Sequence, residues 1–172
     1  KPGDVYFARN GKSVEVFNTD AEGRLILGDA LAYASEQKPA AVFDAATLTG
    51  AIVIALGNTH TGVFTRDQKL MSKIHEAAER SGEWVWPMPL VDFHVDDMKG
   101  THADLCNISG GRMSGSSTAA AFLEEMVGEG VPFAHFDIAG TAWNIHSRFP
   151  YHPKKGASGI MVRTFVELLD LV

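Results

Sequence analysis

The sequence holds 172 residues, 45% of them hydrophobic, with a formal net charge of −6. Such a length builds one ordinary core, and the apolar share excludes a disordered chain. The acidic balance excludes nucleic acid as the main partner, since phosphate binding needs a surplus of Lys and Arg. The longest apolar stretches, such as 51–57, are too short to span a bilayer, so no membrane partner is expected. The lone Cys106 excludes an intramolecular disulfide and suits a reducing, cytoplasmic compartment. The opening Lys1-Pro2-Gly3-Asp4 has neither an initiator Met nor a signal peptide and reads as the middle of a longer protein.

Asp4 to Arg9 and Ser13 to Phe17 are rich in Val, Phe and Tyr and flank Asn10-Gly11, which predicts a hairpin. Gly23 to Gln37 spaces its Leu and Ala residues as a helix does. Ala40 to Ala45 is a short apolar run after Pro39 and reads as a buried strand; Leu48 to Leu56 fits strand or helix equally. Gly62 to Thr65 reads as another short strand. Asp67 to Ser81 predicts an amphipathic helix, with Leu70, Ile74, Ala77 and Ala78 on one face and Gly82 at its end. Trp84 to Asp104 reads as irregular. Ser114 to Ser117 offers capping hydroxyls to a helix through Ala119, Phe122, Leu123 and Met126. Val131 to Ile138 reads as a buried strand and Val162 to Leu171 as a final helix. Strands alternating with helices imply an α/β fold, a central mixed sheet with helices on both faces. Neither an internal repeat nor a low-complexity linker nor a second domain is evident.

The sharpest feature is Asn18-Thr19-Asp20-Ala21-Glu22-Gly23-Arg24-Leu25, after a predicted strand. In an extended segment i and i+2 share a face, so Asp20 and Glu22 would converge on one point. On a helix they would diverge by roughly 200°, at about 100° per residue. Two close carboxylates repel unless a cation or proton lies between them. Gly23 permits a sharp turn, and Arg24 adds a fixed positive charge beside the acids. A plain strand-to-helix junction accounts for the same residues, with Thr19 or Asp20 as the cap and Arg24 balancing the acids.

Other candidates carry less. Gly110 to Ser117 has the Gly-x4-Gly spacing of a phosphate loop but places Ser116 where the lysine belongs, and a connector with a helix cap explains it better. His102 with Asp104, and His135 with Asp137, have ligand-like i, i+2 spacing. The second pair lies in an apolar run, where a core histidine bonded to its neighbour is the usual case. His75 falls on a helix surface, and His60, His94, His146 and His152 fall in predicted loops. Cys106 has no identifiable base beside it. Trp84, Trp86 and Phe93 fit either a subunit interface or core packing.

The eight residues Asn18 to Leu25 resemble, without a substitution, the signature of the leucyl aminopeptidase family, the cytosol aminopeptidases. The similarity continues through Ala45 to Ala51, Ala103-Asp104-Leu105, Thr118 to Leu123 and Asp137 to Trp143, in the family's order and over nearly the whole chain. The resemblance implies that 1–172 is the C-terminal part of a catalytic domain, with the upstream part of the metal site and an N-terminal domain lying outside it. By the same resemblance Asp20 is a carboxylate ligand to one metal, Glu22 bridges two, and Arg24 holds a bicarbonate near the scissile bond. Thr47, Leu48 and Gly50 fall where the family binds the substrate backbone and forms the pocket for its first side chain. Ala139 and Ala142 match further pocket positions, Ala142 at a place where some members have Met.

The activity so implied is hydrolysis of an N-terminal, leucine-like residue from a peptide, with two divalent ions, zinc or manganese, activating a shared water. The family forms homohexamers. Its metal site is completed by a lysine and two aspartates, and a second lysine faces the substrate; all precede this region, so the chain alone is expected to be inactive. A non-catalytic scaffold, or a DNA-architectural relative, is the alternative. Retention of Asp20, Glu22 and Arg24 speaks against the first and the net charge against the second.

Overall fold

The computed structural model describes residues 1–143 and 149–172, so His146 lies outside the described residues. In chain order the elements are β1 (Val5–Phe7), β2 (Ser13–Glu15), a 3-10 turn (Thr19–Ala21), α1 (Glu22–Glu36), β3 (Val42–Ala46), α2 (Gly50–Leu56) and β4 (Thr61–Phe64). There follow α3 (Gln68–Ser81), β5 (Val85–Pro87), α4 (Asp92–Asp96), β6 (Leu105–Cys106), α5 (Gly115–Glu124), β7 (Phe133–Asp137) and α6 (Val162–Leu169). Mixed sheets flanked by helices make this an α/β fold, with the strands divided between two sheets. Two compact units are distinguished: Lys1–Val42 with Pro89–Phe133, and Phe43–Met88 with Ala134–Val172. Among the described residues no helix is long and apolar enough to cross a membrane.

In the first unit, β1 and β2 pair antiparallel and β2 pairs parallel with β6. The expected hairpin forms: Gly11 takes φ +86°, and Asn10 accepts the Lys12 amide at 3.1 Å on its side-chain oxygen. Helices α1 and α5 pack on one another. Gly28 makes room for Met126, just past the end of α5, since a Cβ there would lie 2.9 Å from the Met126 Cγ. The residues Ala119 to Leu123 on α5 are fully buried. The capping expectation at 114–117 is corrected: Ser114 stands at the start of α5 with φ +53°, and its hydroxyl makes no cap. A left-handed residue there cannot aim its side chain at the first turn's amides as an extended one does.

In the second unit the strand order is β3-β7-β4-β5, with β4 antiparallel to β7 and parallel to β5. Strand β4 is buried along its whole length. Helix α3 forms where its pattern predicts. Asp67 caps it by accepting the Lys69 and Leu70 amides at 2.8 and 3.0 Å, and Gly82 ends it in the left-handed conformation. Its buried face joins Val63, Val85, Phe136, Met161 and Leu168 in the core, and α6 packs against it. The stretch 84–104, expected to be irregular, contains β5 and α4, short elements that leave little periodicity to read. Trp84, Trp86 and Phe93 are 50%, 54% and 78% exposed, so core packing does not account for them.

Candidate active site

The acidic segment lies in the first unit. It is not extended: Thr19–Ala21 forms a 3-10 turn and Glu22 opens α1. The expectation that Asp20 and Glu22 share a strand face is therefore corrected. The cause is Asn18, whose side chain accepts the Asp20 amide at 2.9 Å and starts the turn. Asp20 and Glu22 are both exposed, whereas Arg24, two residues into the helix, is buried. Two steps along a helix rotate a side chain by roughly 200°, which separates Arg24 from Glu22 in exposure.

A residue not singled out in the sequence holds this segment. Asn107, fully buried just after β6, accepts the Phe17 and Asn18 amides on Oδ1 at 2.8 and 3.2 Å. Its Nδ2 donates to the carbonyls of Asn18 at 2.5 Å and Ala21 at 3.4 Å. All four contacts fall on the backbone that precedes α1, so the turn carrying Asp20 is fixed through its peptide groups. A polar amide directly after the apolar pair Leu105-Cys106 was the available signal. Cys106 itself is buried, and that burial raises its thiol pKa. It makes a poor nucleophile.

The positions expected from the resemblance to bind substrate lie in the second unit. Thr47 and Leu48 form the connection from β3 to α2, and Gly50 is the first residue of α2. Thr47 and Gly50 are exposed, and Leu48 is partly buried. Ala139 and Ala142, both partly buried, follow β7. Asp137 joins the two stretches: it accepts the Leu48 amide at 3.1 Å and the Ala139 amide at 3.2 Å on the same oxygen. The Thr49 hydroxyl donates to its other oxygen at 2.7 Å. Leu48, Thr49 and Ala139 are thus brought together around one carboxylate.

His135 is a core histidine, as expected, but its partner is not its sequence neighbour. Its Nδ1 meets Asp44 Oδ1 on β3 at 2.7 Å, and the ring stacks on Phe64 at 5.7 Å. Asp137 is occupied by Thr49 instead, so the i, i+2 pair is not a metal site. Asp104, the other such candidate, accepts the Ser13 amide and hydroxyl at 2.8 and 2.7 Å, which holds its carboxyl below the usual range.

Among the described residues no group of three or more His, Cys, Asp or Glu is gathered for a metal. Asp20 and Glu22 fit a divalent cation by donor chemistry, being exposed hard oxygens, and would supply two of the four or more donors such an ion takes.

The sequence profile of the cytosol aminopeptidase family's catalytic domain matches residues 1–166. A Bdellovibrio bacteriovorus protein named "Probable cytosol aminopeptidase" is 70% identical over 168 residues, which are 98% of this chain and 34% of that protein. Proteins of the same name from Persephonella marina and Streptomyces coelicolor are 48% and 50% identical, over 98% and 99% of this chain and 34% and 33% of their own lengths. The chain spans about a third of the length of the curated relatives it matches. With the match running through both units, the chain belongs to the cytosol aminopeptidase family.

Proposed function

We propose that this chain is the C-terminal part of the catalytic domain of a two-metal aminopeptidase, acting in the cytoplasm on leucine-like N-terminal residues of peptides. The observation that carries the reading is the exposed pair Asp20 and Glu22 on a segment whose backbone Asn107 fixes, within a chain of this family. Ligands on an anchored backbone lose little entropy when they bind, which is what a metal centre asks of its supports.

Asp20 and Glu22 would hold the divalent ions, zinc or manganese, with Glu22 shared between them. When bound, those ions supply Lewis acidity and lower the pKa of water. Arg24 offers a fork of fixed N–H donors suited to a planar anion such as bicarbonate. Thr47, Leu48 and Gly50 orient the peptide backbone through a loop that Asp137 immobilises. Ala139 and Ala142 end in single methyls and leave room for an apolar first side chain. The two carboxylates are too few to hold a metal pair tightly, so the chain by itself is expected to be inactive. The working form we propose is a homohexamer of the longer protein.

The test is hydrolysis of leucine p-nitroanilide with manganese by the full-length protein and its Asp20→Asn and Glu22→Gln variants. Each substitution is expected to lower kcat/KM by roughly 100-fold or more, with the fold intact by circular dichroism. Equal turnover by either variant would remove that residue from the site.

A further inference from the structure

We propose that Asp137 is a positioning residue that sets the width of the substrate side-chain pocket, holding its two walls from a single carboxylate. The proposal rests on the aminopeptidase reading above. Asp137 is the last residue of β7 and is 1% exposed. Oδ1 accepts three amides, those of Leu48 at 3.1 Å, Thr49 at 3.5 Å and Ala139 at 3.2 Å. Oδ2 accepts the Thr49 hydroxyl at 2.7 Å. One wall therefore comes from the connection before α2 and the other from the turn after β7, and they share an anchor.

A carboxylate suits this place because both its oxygens can accept, whereas an amide would set an NH2 group against one of the incoming donors. Thr49 extends the clamp: its Oγ1 also accepts the Ile52 amide at 3.2 Å and so starts α2 from the same point. At the far end of α2, Gly140 lies so close that a Cβ would stand 2.0 Å from the Gly57 carbonyl oxygen. The turn after β7 is thereby seated against α2 at both ends, at Thr49 through Asp137 and at Gly57 directly. Nothing else in the 47–49 connection supplies a partner to the Leu48 amide among the described residues. Releasing the clamp moves Leu48 relative to Ala139, which alters the space for a side chain more than it alters the reacting groups. Discrimination between first residues then suffers.

The experiment compares Asp137→Asn and Thr49→Val with the unaltered full-length protein, on leucine and alanine p-nitroanilides with manganese. The ratio of the two kcat/KM values is expected to fall on the order of tenfold, chiefly through a raised KM for leucine. Manganese affinity stays unchanged, and Thr49→Ser, which keeps the hydroxyl, restores the ratio. A merely structural Asp137 would reduce the folded fraction and scale both substrates alike, so a preserved ratio overturns the proposal. Where the unaltered protein hydrolyses neither substrate, the aminopeptidase reading fails and the clamp is judged separately by hydrogen exchange. Faster exchange at Leu48, Thr49 and Ala139 in Asp137→Asn supports the clamp, and unchanged protection refutes it.

Discussion

Asn107 grips Asn18 on both sides of the residue, accepting its N–H at 3.2 Å and donating to its carbonyl at 2.5 Å. Asn107→Ala would leave the partly buried Phe17 and Asn18 amides without this acceptor, while the Asn18 carbonyl keeps the Ala21 amide at 3.3 Å, and a cost of about 2–3 kcal/mol of stability is expected. If the clamp serves the acidic pair, manganese affinity of the full-length protein also falls, by roughly 10- to 100-fold, as when an outer support of a metal site is lost. Urea midpoints and titration calorimetry read the two effects apart. Reduced stability with unchanged manganese affinity would disconnect Asn107 from Asp20 and Glu22. Asn107→Asp keeps the acceptor for Phe17 and Asn18 but loses the donor, so an intermediate loss is expected.

The His135–Asp44 pair gives a second prediction, about stability alone. The imidazole is fully buried, and neither His135 Nε2 nor Asp44 Oδ2 has a hydrogen-bond partner among the described residues. His135→Phe leaves the Asp44 carboxylate in the sheet without its donor, and a loss of about 3 kcal/mol or more is expected in chemical denaturation. Removing both polar groups, with His135→Phe and Asp44→Val together, should recover much of that loss, because the penalty comes from stranding one partner. A double variant no better than the single one would contradict this account.

Elements with strong local signals were legible from sequence: α3 carries its cap at Asp67, its stop at Gly82 and a clear apolar face between them. The acidic segment was legible as chemistry but not as shape. Val16 and Phe17 bias the eye to a strand, while the turn is decided by one side-chain bond from Asn18. The clamps were not legible at all. Asn107 and Asp137 act on residues 89 and 88 positions away, Asn18 and Thr49, and such pairings leave no period in the sequence. Likewise His135 had a plausible partner two residues on, yet the neighbouring strand supplied Asp44. Sheet pairing decides that choice, not spacing.

His152 predicts an acid-sensitive region in the second unit. It is buried among Phe149 and Tyr151, with ring centroids 5.2 and 4.4 Å away, and neither ring nitrogen has a hydrogen-bond partner among the described residues. Burial is the main cause that pushes its pKa below the ordinary 6.5; Glu83 pulls the other way, and Arg163 adds a smaller push downward. Below that ordinary value the unfolded chain takes up a proton that the folded chain refuses. Its contribution is therefore whole above 6.5 and is lost as pH falls toward and through the depressed folded pKa. His152→Phe should flatten that part of the pH–stability curve, read as denaturant midpoints between about pH 7.5 and about pH 5. An unchanged slope would assign the acid loss to other groups.

Two glycines in the segments proposed to bind substrate separate folding from binding. At Gly140 a methyl would meet the Gly57 carbonyl oxygen at 2.0 Å, a backbone atom that cannot swing aside. Gly140→Ala must displace the turn after β7 or the end of α2, and a loss of about 3 kcal/mol or more is expected, in the range of severe overpacking. Gly50 is the contrast: it is exposed, its φ is not positive, and a Cβ there meets nothing within 4 Å. Alanine is also the better helix former by about 1 kcal/mol in a helix interior, so Gly50→Ala should fold at least as well as the native chain. Yet the new methyl stands where the proposed site takes the substrate backbone, and KM for leucine p-nitroanilide in the full-length protein should rise by roughly tenfold. A Gly50→Ala protein with native stability and native KM would place the substrate elsewhere, because nothing in the fold itself demands a glycine at that position.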